Sequence, residues 1–85
     1  MENLLKRQFS DILFRKRNEL KLTQLEMAEK CFLSLRQYSD LENGLRLPSF
    51  ESFVNIVLQC DIDATTLINE IIKSGYVGND DRNSA

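Results

Sequence analysis

Two helix-start signals stand eleven residues apart in the middle of the 85-residue chain: Thr23-Gln24-Leu25-Glu26 and Ser34-Leu35-Arg36-Gln37. Each has the form of a capping box. The Thr or Ser side chain accepts from the backbone N–H three residues on, and the Glu or Gln side chain there reaches back to the cap. The spacing leaves room for about two turns of helix and a connection of three or four residues. A chain with this pattern has to hold two short helices close together. Gly44 follows the second of them and is a natural stop, because glycine takes the left-handed conformation at little cost.

The rest of the chain also has helical period. Leu5, Phe9, Ile12, Leu13 and Leu20 share one face of a first helix that should end within residues 18–22. Met27, Ala28 and Cys31 are the inward positions of the second. Pro48-Ser49 opens a fourth helix, with Ser49 as N-cap, Glu51 favourable to the dipole, and Phe53, Ile56, Val57 and Cys60 as its inner stripe. Asp61 or Asp63 starts a fifth, in which Leu67, Ile68, Ile71 and Ile72 are apolar and Gly75 is the stop. No strand alternation, internal repeat or linker interrupts this order. The expectation is an all-α, compact five-helix bundle forming one domain over residues 1–77. The tail 78–85 (GNDDRNSA) lacks apolar periodicity and is expected to be disordered.

Composition narrows the function. No apolar run approaches the roughly 20 residues of a membrane span, and the N-terminus lacks the apolar core of a signal peptide; a cytoplasmic protein is expected. The chain has two cysteines and no histidine. With no CxxC or Cys/His cluster, a metal site is not expected, and Cys31 and Cys60, both on apolar helical positions, read as buried free thiols. No glycine-rich phosphate loop and no base beside a nucleophile suggests catalysis, so neither enzyme activity nor a cofactor or small-molecule ligand is expected. The net charge of −2 is unevenly spread: residues 1–46 hold nine Lys/Arg against seven Asp/Glu, residues 47–85 two against six. The N-terminal half is mildly basic, which is weak evidence of a polyanionic partner.

Helical geometry sorts the third helix. At about 100° per residue, Tyr38 and Leu41 turn inward, and Leu35, Arg36, Ser39, Asp40 and Asn43 line an outward stripe. A helix presented on a short turn with a polar outer edge suits the DNA major groove, which admits one α-helix and exposes distinct donor and acceptor patterns. Its N-terminal half would project furthest, placing Ser34, Leu35, Arg36, Ser39 and Asp40 near base edges. Arg36 could grip guanine O6 and N7, Asp40 could accept from cytosine N4, and Leu35 could touch a thymine methyl.

The run LTQLEMAEK, then SLRQYSDLENG, then RLPS, resembles the Xre or phage-repressor (Cro and lambda-repressor-like) helix-turn-helix family from about Phe9 to about Leu67. The resemblance implies a five-helix fold whose third helix reads operator DNA, in proteins that act as dimers on paired half-sites and repress or activate transcription, with repression expected here. By position it implies a phosphate contact for Gln24, base reading by Leu35, Arg36 and Asp40, and backbone contacts for Asn43 and Arg46. Arg17 and Glu42 match a structural salt bridge between the first and third helices. The apolar excess of the fifth helix, Ile68 and Ile72 with Tyr76 and Val77, is a candidate homodimer contact. The chain departs from the family at Phe32, where a glycine is usual, and in the low positive charge of its reading helix. The exposed Leu25, Phe32 and Leu35 keep an alternative open: a protein-interaction module on the same fold, with DNA binding weak or lost.

Overall fold

The computed structural model describes residues 4–76, which form five helices and no strand. They are α1 (Leu4–Leu20), α2 (Gln24–Lys30), α3 (Leu35–Glu42), α4 (Phe50–Gln59) and α5 (Ala64–Lys73). The five-helix expectation is met. Residues 1–3, Val77 and the tail 78–85 lie outside the described residues.

Side chains start four of the helices. Thr23 Oγ1 accepts from Glu26 N at 3.1 Å while Glu26 Oε1 accepts from Thr23 N at 2.8 Å. Ser34 and Gln37 repeat the exchange at 3.1 and 2.9 Å. Ser49 caps α4 through Ser52 N, and Asp63, rather than Asp61, caps α5 through Thr65 N. Such caps satisfy N–H groups that the first helical turn leaves without partners.

The helices stop by one device. A residue with positive φ follows each: Lys21 (60°), Phe32 (61°), Gly44 (75°), Asp61 (54°) and Gly75 (107°). After α2, Phe32 N donates to Glu29 O and Leu33 N to Ala28 O; after α3, Gly44 N donates to Leu41 O and Leu45 N to Asp40 O. These paired bonds are the Schellman arrangement, which satisfies the last carbonyls and turns the chain sharply. At Phe32 the left-handed conformation is taken by a residue that a Cβ disfavours there.

Phe9 and Leu13 of α1, Met27 and Ala28 of α2, Tyr38 and Leu41 of α3, Ile56 of α4 and Leu67 and Ile71 of α5 meet in one buried core, joined by Cys31 and Cys60 at the ends of α2 and α4. The Phe9 and Phe53 rings stand 6.2 Å apart at its α4 side. α3 packs on both α1 and α2, and α5 packs on α1. Arg15 ties the last pair at the surface, with Nη2 3.0 Å from Glu70 Oε1 and Nε 3.2 Å from Asp11 Oδ2.

Two expectations need correcting. Leu20 is exposed, because the chain turns left-handed at Lys21; Leu22, just beyond the turn, packs on the core instead. α5 buries only the arc carrying Leu67 and Ile71, and Ile68 and Ile72 stand outside the core as the apolar excess of that helix. Val57 is only half-buried and Phe53 packs at the core's edge.

Candidate nucleic-acid interface

The angle between α2 and α3 is set by the residues between them. Phe32 and Leu33 make the turn, and Leu33 seats its side chain against the core. Met27, Ala28 and Cys31 then face Tyr38 and Leu41, all buried. With its inner face so held, α3 turns the rest outward. Leu35, Arg36 and Asn43 are exposed, as is the cap Ser34, whereas Ser39 and Asp40 are half-buried.

Glu42 anchors the far end of this helix. Its carboxylate collects four hydrogen bonds in a site where its side chain is 4% exposed. Arg17 Nε donates to Oε2 at 2.8 Å and Arg17 Nη2 to Oε1 at 2.9 Å. Tyr38 Oη also donates to Oε2, and Gln24 Nε2 donates to Oε1 at 3.0 Å. Arg17 Nη1 donates to Leu22 O at 2.9 Å, and its guanidinium lies 5.6 Å from the centre of the Phe14 ring. The Ser10 hydroxyl donates to the Glu42 carbonyl. One carboxylate thus joins α1, α2 and α3 behind the outward stripe. No buried side-chain polar atom among the described residues lacks a partner.

The electrostatics follow from these contacts. Burial pulls the Glu42 carboxyl upward, but the bonds from Arg17, Tyr38 and Gln24 outweigh it and hold the group below the usual carboxylate range. Burial, and then the hydrogen bond to Glu42, push the Tyr38 phenol well above its ordinary value. The hydrogen bond to Glu42 raises Arg17, which stays charged.

The sequence-derived site residues divide into three groups. Arg36 and Leu35 stand exposed at the start of α3, and Arg36 makes no ion pair among the described residues. Others are already engaged within the protein. Ser34 Oγ caps α3, Ser39 Oγ accepts from Asn43 Nδ2 at 3.3 Å, and the Gln24 amide holds Glu42. Asp40 Oδ2 lies 3.5 Å from Arg46 Nη2, so a residue expected to face base edges is turned toward the loop after α3. Lys21 and Lys30 are exposed on the same half of the chain.

On α5, Ile68 and Ile72 are exposed, whereas Tyr76 packs against the protein's own core. The sequence reading missed a second apolar surface. Phe50 is 82% exposed and Leu58 68% exposed, and with half-buried Val54 they fall at i, i+4 and i+8 on one face of α4. The signal was present in that spacing but was hidden by the stronger inner stripe of the same helix.

Two capped helices joined through a tight turn, the second with its leading end exposed at Leu35 and Arg36, define a helix-turn-helix domain. The chain belongs to the helix-turn-helix family HTH_3, of Xre and lambda-repressor type, whose model matches residues 13–67. Its fold is similar to that of a crystal structure of a Tyr-to-Phe mutant of the restriction–modification controller protein C.Esp1396I. The TM-score is 0.75 at 24% sequence identity, over 87% of this chain and 94% of that one. No curated protein matches the sequence. Family and fold support a DNA-binding transcriptional regulator.

Proposed function

We propose that the protein is a sequence-specific regulator of transcription, a repressor, that inserts residues 34–43 into the major groove of an operator. One observation carries this reading: the core and the Glu42 cluster hold α3 from behind, leaving Leu35 and Arg36 exposed at its leading end. Such a helix loses little freedom on docking, so its contacts are not offset by the cost of ordering it.

In this reading Arg36 reads guanine and Leu35 packs on a thymine methyl, with Ser34 and Ser39 close to base edges. Gln24, Asn43 and Arg46 lie along the phosphate backbone, as do Lys21 and Lys30. Gln24 keeps a second amide hydrogen for a phosphate while the first holds Glu42. Residues 1–77 act as one DNA-binding unit. A single helix with one cation binds weakly, so two copies engage paired half-sites. Ile68 and Ile72 of α5 supply the contact between copies, and the apolar face of α4 extends it.

The test is selection of bound fragments from a random duplex library, followed by titration of the recovered sequence at several salt concentrations. A shared motif and an affinity that falls steeply with salt are expected. If no sequence is enriched and binding is absent even in dilute buffer, the fold is serving as a protein-interaction module. The exposed Phe32 and Phe50 are the observations that would then matter.

A further inference from the structure

Three sulfur atoms meet in the core, away from the DNA-facing edge. Cys31 Sγ lies 3.7 Å from Cys60 Sγ, which lies 3.8 Å from Met27 Sδ. Both cysteines are free and buried. Each occupies the cap position at the end of a helix, Cys31 on α2 and Cys60 on α4. Each is followed by a left-handed residue, Phe32 and Asp61. The two helix ends therefore meet with their thiols in contact.

A disulfide needs the sulfurs about 2.0 Å apart, some 1.7 Å closer than here. A modest rotation of two short side chains closes such a gap, and cap residues are less constrained than residues inside a helix. We propose that Cys31 and Cys60 form a dithiol that a small-molecule disulfide converts to an internal disulfide, fastening the helix-turn-helix turn to the end of α4. One thiolate attacks a sulfur of the small disulfide, forming a mixed disulfide and expelling one thiol. The second thiolate attacks the protein sulfur of that intermediate and expels the other. Two protein S–H bonds are lost and one S–S bond forms, while the reagent is reduced to two thiols.

Burial sets the pace. The hydrogen bond to Cys60 and then burial push the Cys31 thiol up, while the same bond lowers the Cys60 thiol, so Cys60 is the first of the two to ionise. Both sulfurs are buried, which keeps the reagent away from them in the closed core. Reaction waits for the α4–α5 end to open. Once made, the bond closes a loop of roughly 30 residues that contains α3 and α4, which restricts the unfolded chain.

The experiment treats the reduced full chain with oxidised glutathione near the usual thiol pKa of about 8.5 for a day. Intact mass spectrometry, a thiol count and thermal melting follow. The expected product is a monomer lighter by two hydrogens, without attached glutathione, melting about 10 °C higher and reverting with dithiothreitol. Cys60→Ala should not gain that increment. A full count of two free thiols after the incubation would overturn the proposal. So would glutathione attached at both sites, or a product linked only between chains. No readout involves DNA, so the outcome is separate from that of the regulator reading.

Discussion

Arg17 meets Glu42 through two parallel hydrogen bonds of 2.8 and 2.9 Å across the α1–α3 contact, both side chains largely shielded from water. Removing one partner of such a pair leaves the other charge buried and uncompensated, which costs about 3–5 kcal/mol. An exposed pair would be worth about 0–1 kcal/mol. Arg17→Ala should therefore lower the melting temperature by well over 10 °C, at roughly 4–8 °C per kcal/mol for a domain this size. Urea denaturation measures the same quantity. An unchanged curve would show that the carboxylate is supported without the arginine.

The same cluster sets the pH range of stability. Glu42 has a lowered carboxyl pKa when folded, so the unfolded chain takes up a proton first as pH falls. Its contribution is complete above the unfolded value of about 4.3 and is lost as pH drops through the folded one. Tyr38 has the opposite sign. Its folded pKa is raised, so its contribution is complete below about pH 10 and shrinks above it, as the unfolded chain ionises. Melting temperature against pH should fall at both ends. Tyr38→Phe should flatten the alkaline fall and cost about 1.5–3 kcal/mol near neutrality, the usual range for a hydrogen bond to a charged group. An alkaline limb unaffected by the change would place its origin elsewhere.

Phe32 holds φ at 61° with its ring 70% exposed, so it bears the cost of the left-handed turn and recovers little of it through burial. A non-glycine residue in this region costs about 1–3 kcal/mol, and glycine gives back about 0.5–1 through its larger unfolded-state entropy. Phe32→Gly should stabilise the domain by about 1 kcal/mol, and Phe32→Val should destabilise it. Chemical denaturation of both variants checks the order. If glycine were the less stable, the ring would be making a contact worth more than the backbone strain.

Phe32 also marks where the sequence was legible and where it was not. The helix starts were readable because each cap uses a side chain of particular chemistry at fixed spacing: Thr23 with Glu26, Ser34 with Gln37, Ser49 alone. Helix ends were readable where glycine stood, at Gly44 and Gly75, and the end of α1 was placed within residues 18–22, but the left-handed turns at Lys21, Phe32 and Asp61 were obscure, because these residues reach that conformation without being the glycine that announces it. The inward and outward faces of α3 followed from rotation about its axis. What rotation does not supply is which polar side chains find each other. The turn of Asp40 toward Arg46 and the hold of Gln24 on Glu42 depend on packing between elements.

The exposed apolar side chains of α4 and α5 bear on assembly. Phe50, Leu58, Ile68 and Ile72 each present large apolar surface to solvent. Ile72→Glu should leave the monomer folded, because this side chain is outside the core, and should weaken self-association and DNA affinity together. Light scattering across a concentration series measures the first, and titration of a paired-site duplex against a single half-site the second. A monomeric mass for the unaltered protein at high concentration would remove the assembly.

Two arginines separate base reading from backbone holding in the proposed complex. Arg36→Ala should cost about 1–3 kcal/mol of affinity and relax preference at one base pair. Arg46→Ala should instead weaken binding to all sequences alike and lower the salt slope by about 1. Asp40 is the informative case. Its carboxylate lies 3.5 Å from Arg46 and offsets part of that arginine's charge, and in the proposed reading its own negative charge opposes approach to phosphate. Asp40→Asn should therefore tighten binding across sequences while leaving base preference unchanged, as read by repeating the fragment selection with the variant. A change of preference at a single base pair would mean that Asp40 leaves Arg46 in the complex and accepts from a base. The expected outward stripe of α3 would then form only on DNA.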